Sequence, residues 1–150
     1  MSHAPAFVRL SNPLTNALLR VGLPMGPNTL VTIRGRTSGL PRSMPLAVME
    51  LDGRRWIIGA YGDVNWTRNL RAAGEAEIQV RGRTVHVTAI ELQGEAAERF
   101  YGETVPAYLR RFSAAGRLFA RLFFRIVAPD ITSDPLGAAA SHPVFELREP

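Results

Sequence analysis

The 150-residue chain has no cysteine. That excludes disulfides, thiolate nucleophiles and cysteine-ligated zinc or iron–sulfur centres. Its three histidines, His3, His86 and His142, lie far apart and in no ligand spacing, so a histidine metal site is not expected. Redox chemistry, if there is any, has to come from a bound organic cofactor. No run reaches the roughly 18 apolar residues of a membrane span. The opening MSHAPAFVRLSNPL lacks the basic start, apolar run and cleavage site of a signal peptide, so the expected location is the cytoplasm. Lysine is missing too: all 18 basic residues are arginine, and the formal net charge is +5. The planar guanidinium fork suits phosphate and carboxylate, but a compositional bias of the genome would give the same count. Only the placement of the arginines separates the two readings.

What is present reads as an ordinary soluble globular chain, 46% hydrophobic and 21% charged, of a length expected to fold as one domain. Asn12-Pro13 and Gly22 bracket a short helix over residues 13–21. LVTIR, MPLAVMEL and RRWIIGAY are rich in apolar and β-branched residues and are separated by turn chemistry that includes Asp52-Gly53, which predicts three antiparallel strands. Val64, Leu70 and Ala73 recur at helical spacing between a candidate cap at Asp63 and a stop at Gly74. EAEIQV and RTVHVTAIEL return to strand around an Arg81-Gly82-Arg83 turn, EAAERFYGE is a brief helix, and PVFELRE is a last strand. PDITSDPLGAAASHP is expected as a long loop or partly ordered crossover.

From Tyr108 to Val127 the sequence predicts one amphipathic helix. Tyr108, Phe112, Ala115, Phe119, Leu122, Phe123 and Ile126 share a face opposite Arg110, Arg117, Arg121 and Arg125, and Phe124 falls outside the stripe. The expectation is a helix laid across a sheet with its arginines in water; the other reading is peripheral contact with a membrane surface. Five or six antiparallel strands with inserted helices do not suit a parallel α/β sheet. The fold class expected is mainly β (α+β), a small antiparallel barrel with peripheral helices.

The densest chemistry is in TIRGRTSGLPRSMPL. Arg34 to Arg42 holds three arginines, two hydroxyls and two glycines. It is no P-loop, since the lysine is missing and a strand follows; the same topology excludes a dinucleotide fingerprint. Its glycines allow backbone N–H groups to converge on an anion, with Arg36, Arg42, Thr37 and Ser38 as further donors. A solvated hairpin turn would use the same residues.

TIRGRTSGLPRSMPL, a Gly-Arg turn with its apolar strand, and NWTRNLRA, in that order over about residues 28–92, together resemble the deazaflavin-dependent nitroreductase family of split β-barrel oxidoreductases. The resemblance implies coenzyme F420, an 8-hydroxy-5-deazaflavin, donating hydride to a quinone, nitro compound or activated alkene. It implies cofactor contacts at Arg36, Thr37, Ser38, Gly39, Pro41 and Arg42 for the anionic tail, and at Pro45 and Leu46 beside the ring. Ala60, Tyr61 and Gly62 match the loop at the ring edge, and Trp66 and Asn69 match the helix motif. A polyanionic tail would explain Arg34, Arg36, Arg42, Arg54, Arg55, Arg68 and Arg71 in one half of the chain. Tyr61 and Tyr108, with Tyr101, are the candidate proton donors by position and residue type; as mere pocket walls they would leave that proton to solvent. The alternatives are FMN on a related split barrel, which explains fewer arginines, and a carrier that binds cofactor or lipid without turnover. The expected partner is a small molecule and not nucleic acid, with oligomeric state left open.

Overall fold

Residues 28–150 are described in a computed structural model; the helix expected over residues 13–21 lies outside them. Six strands form a closed antiparallel barrel in the order β1-β2-β3-β6-β5-β4: β1 Asn28–Arg34, β2 Pro41–Leu51, β3 Arg54–Ile58, β4 Glu75–Val80, β5 Arg83–Leu92 and β6 Val144–Arg148. The hairpins turn where the sequence offers residues tolerant of positive φ: Asp52 and Gly53 at 52° and 77°, Arg81 and Gly82 at 49° and 78°. β6 enters from the chain's end and closes the barrel between β3 and β5.

Alternation along the strands makes two cores. Val31, Ile33, Ile57, Ile78, Val87, Phe145 and Leu147 fill the barrel interior, with Leu70 of helix α1 (Asn65–Ala73) packed among them. The neighbouring residues Trp56 and Val144 face outward, where Met49 and Leu51 join Phe100, Tyr101, Val105, Ala128, Ile131 and Ala138. These last come from the helical layer: α2 (Glu95–Arg99), a π-helical turn (Phe100–Thr104), α3 (Val105–Arg110), α4 (Ala114–Val127), α5 (Asp130–Ser133) and α6 (Pro135–Ser141). Burial on both faces is why β3 and β6 each carry apolar residues in succession, Trp56-Ile57-Ile58 and Val144-Phe145.

Four local expectations need correction. RRWIIGAY leaves the sheet at Ile58, because Gly59 N–H turns to Pro143 O (2.7 Å) and Gly62 N–H closes back on Gly59 O (2.9 Å). Val64, not Asp63, is the N-cap residue of α1; the Asp63 carboxylate accepts from Thr67 Oγ1 at 2.9 Å and from Arg68 Nε at 3.1 Å. PDITSDPLGAAASHP is two short helices, α5 and α6. The helix expected from Tyr108 to Val127 is broken at Phe112, since Ser113 takes extended backbone and its Oγ accepts from Gly116 N–H, capping α4. The side of α4 that packs carries Phe124, against the outer core, and continues into the buried Ala128. Phe119, Leu122 and Ile126, expected inside, are exposed.

Candidate functional site

The β1–β2 connection folds over glycine at two positions. Gly35 N–H donates to Leu40 O and Gly39 N–H to Gly35 O, both at 2.9 Å. A Cβ on Gly35 would lie 2.7 Å from Ser38 Oγ and 3.2 Å from Arg42 Nε, so glycine is what lets those two side chains close over the turn. Gly39 has φ +71°, the left-handed region that glycine enters freely. Thr37 and Ser38 N–H groups find no acceptor among the described residues.

Helix α1 supplies the other wall. Asn69 is buried, and its Oδ1 accepts from Arg36 N–H at 3.2 Å and from Arg36 Nη1 at 2.7 Å. One turn earlier, Asn65 O and Oδ1 accept from Arg36 Nη1 and Nη2, each at 3.4 Å. The Arg36 guanidinium is thus held in place by neutral amides. Gly35, Arg36, Thr37, Ser38, Arg42, Asn65 and Asn69 line a cavity of about 340 Å³, into which the amino end of α1 adds the partial positive charge of its unpaired N–H groups.

The remaining arginines of this half of the chain are compensated. Arg54 pairs with Glu146 (3.0 Å), Arg55 with Glu50 and Glu149 (2.9 and 2.6 Å), and Arg68 with Asp63 (3.1 Å). Arg71 pairs with Asp63 and Glu91 (3.2 and 2.6 Å). Only Arg34, Arg36 and Arg42 of the seven have no carboxylate partner among the described residues. The seven arginines expected along a polyanionic tail therefore reduce to three, all in or beside one turn.

Next to that cavity the barrel is open. β2 pairs with β1 from Pro41 to Ala47, but with β3 only from Val48 to Leu51. Pro41 to Ala47 therefore present one unpaired backbone edge, where Pro45, lacking an N–H, costs the sheet nothing. Pro41 and Arg42 are exposed there; Pro45 and Leu46 are half-buried, Leu46 against the interior core.

Of the other expected site residues, Ala60, Tyr61 and Gly62 form the loop after β3, with Ala60 against the outer core. Trp66 packs against Phe145 with ring centroids 6.4 Å apart, a structural position. Burial raises the Tyr61 and Tyr108 phenols above their ordinary value. Tyr108 sits edge-on to Phe112 at 4.8 Å, and neither tyrosine lines the cavity. Tyr101 is sealed in the outer core with its hydroxyl donating to His142 O at 2.8 Å. Desolvation, then the charge of Asp130, pushes its phenol far up; burial and the hydrogen bond to His142 O keep its proton out of a substrate's reach.

Two contributors escaped the sequence reading. Asn65 lies one helical turn before Asn69, a spacing that puts both amides on one face and could have revealed the pair. His142 looked isolated, yet its Nε2 meets Asp130 Oδ1 at 2.8 Å and its Nδ1 meets Gly59 O at 3.2 Å. It pins the start of the 59–62 loop across 83 residues of sequence, a contact no local pattern signals.

A model of the F420H(2)-dependent quinone reductase family matches residues 13–118. Among solved structures, an F420-H2 dependent reductase, FDR-A, is 24% identical with a TM-score of 0.53, the match covering 81% of this chain and 94% of that one. A structure described as a domain-swapped dimer is 20% identical, with a TM-score of 0.52 and coverage of 95% and 97%. A putative pyridoxamine 5′-phosphate oxidase from Listeria innocua shares 10% identity at a TM-score of 0.50, with 91% of each chain covered.

Proposed function

The chain belongs to the F420H(2)-dependent quinone reductase family, whose reaction is hydride transfer from reduced F420 to a quinone, and on that premise we propose how its own residues serve that reaction. Arg36, Arg42 and the N–H groups of Thr37 and Ser38 hold the phosphate and carboxylates of the cofactor tail, with Gly35 and Gly39 shaping the turn. The observation that carries this is the Arg36 guanidinium, fixed by Asn65 and Asn69 and left without a counter-charge. A solvated turn has no use for a buried amide that orients a bare cation, whereas an anion site needs one.

The tail fits the residues present: two uncompensated arginines, Arg36 and Arg42, line the cavity with Arg34 next to the turn, and the open edge of β2 at Pro41, Pro45 and Leu46 leaves room and backbone groups beside them. When bound, the reduced deazaflavin supplies the hydride. Position and exclusion of water are the protein's part. Ala60, Tyr61 and Gly62 border the acceptor. Tyr61 carries its proton at neutral pH as any phenol does, burial raising its value further, and donates to the reduced acceptor oxygen. Tyr108, packed against Phe112, serves as wall rather than donor.

Reoxidation of F420H2 by a water-soluble quinone, followed by absorbance, checks the assignment. Tyr61→Phe is expected to lower kcat by about 10²-fold, the lower end for general acid catalysis, with KM for F420H2 unchanged. Equal turnover by Tyr61→Phe would hand the proton to solvent and remove Tyr61 from the reaction.

A further inference from the structure

The break at Phe112 gives α4 its own orientation, and that orientation turns a strongly apolar strip outward. Leu118, Phe119, Leu122 and Ile126 are 60%, 73%, 49% and 78% exposed. At about 100° per residue the four fall within an arc of roughly 100° on the helix, opposite the side that carries Phe124 toward the outer core. A single exposed leucine is unremarkable in any protein; four large apolar side chains on consecutive turns of one helix are a surface with a use.

Charge identifies its occupant. Between Glu103 and Asp130 the chain has five arginines and no acidic residue. Arg111 pairs with Asp52, and Arg117 Nη1 donates to Phe112 O at 3.2 Å. Arg110, Arg121 and Arg125 are exposed and pair with no carboxylate among the described residues. On the helix, Arg121 and Arg125 lie along the border of the apolar strip next to Leu118. Their aliphatic stems can lie over the strip while the guanidinium groups reach outward. A symmetric pairing of two copies through this face would bring the same arginines together with nothing to neutralise them. A surface that is apolar within and anionic at its boundary satisfies both features at once.

We propose that α4 is a peripheral membrane-docking helix: Leu118, Phe119, Leu122 and Ile126 enter the acyl boundary of a bilayer, and Arg121 and Arg125 engage anionic lipid headgroups. The reading is independent of the cofactor site, since it rests on other residues. Neither signal suffices alone. A short apolar strip gives marginal binding, and an adjacent basic cluster is what makes such attachment stable on anionic membranes.

Co-sedimentation with vesicles of phosphatidylcholine, with and without phosphatidylglycerol, tests it on the full chain. At least tenfold more protein is expected to partition onto the vesicles containing phosphatidylglycerol, with the difference shrinking as salt rises. The double variants Phe119→Ser/Ile126→Ser and Arg121→Glu/Arg125→Glu should each lose at least tenfold of that binding. Both change exposed side chains, so their melting temperatures and their turnover of a soluble quinone should match the parent. Failure to bind anionic vesicles overturns the proposal, as does binding that both double variants retain. A parent that sediments as a dimer and becomes monomeric in Phe119→Ser/Ile126→Ser would assign the face to a second copy and overturn it equally.

Discussion

Asn69 shows how one neutral side chain can define a charged site. Its buried Oδ1 takes two hydrogen bonds from Arg36, which orders the guanidinium without cancelling its charge. Asn69→Asp keeps shape and hydrogen bonds but supplies the missing counter-ion. F420 affinity is expected to drop by about 1–3 kcal/mol, the scale of a hydrogen bond to a charged group, while the melting temperature holds or rises. Calorimetric titration beside a melting curve checks both; unchanged affinity would mean the Arg36 charge does not face the ligand. Glu146 is the opposite case, a buried carboxylate that is fully paired. Burial pushes its carboxyl up, but hydrogen bonds from Arg148 and Arg54 outweigh that and hold it below the usual carboxylate range. Its folded value being depressed, its contribution is complete above the unfolded value of about 4.3 and fades as pH falls through the folded one. Glu146→Gln should therefore lower stability near pH 7 and flatten the stability loss below about pH 4.3, read from urea unfolding across that range.

At the scale of elements, hairpins were legible in the sequence and long-range placement was not. Asp52-Gly53 and Arg81-Gly82 announce their turns because positive φ is a local demand, and β4 and β5 announce themselves by alternation. The orientation of α4 could not be read that way: tertiary contact through Phe124, which falls outside the apolar stripe, chose the side that packs. The same holds for the 59–62 loop, whose shape is imposed by Pro143 and His142 from the far end of the chain. That loop has little slack. A Cβ at Gly59 would stand 3.0 Å from Thr67 Cγ2, 3.1 Å from Gly62 O and 3.3 Å from Pro143 Cδ. Gly59→Ala should cost about 1–3 kcal/mol, as overpacking does, measured by denaturant midpoint. An unaltered midpoint would show that the loop yields and does not hold the barrel's rim rigidly.

For the whole molecule, the unpaired edge of β2 from Pro41 to Ala47 lies beside the turn whose Arg34, Arg36 and Arg42 have no carboxylate partner among the described residues. The sequence disclosed the turn, the helix motif and the family. What it could not disclose is that four of seven nearby arginines are committed to carboxylates, because Glu91, Glu146 and Glu149 arrive from distant strands and the chain's end. That commitment sharpens the central claim to Arg36 and Arg42, the two arginines that line the cavity, and makes it directly measurable. Fluorescence titration of the purified protein with oxidised F420, and with FMN as the comparison, is the decisive measurement. F420 should bind more tightly than FMN, more weakly as salt rises, and more weakly by about 1.5–3 kcal/mol in each of Arg36→Ala and Arg42→Ala, whereas Arg54→Ala should leave it unchanged. Equal F420 affinity in the parent, Arg36→Ala and Arg42→Ala would contradict the account, and tighter binding of FMN would do so as well.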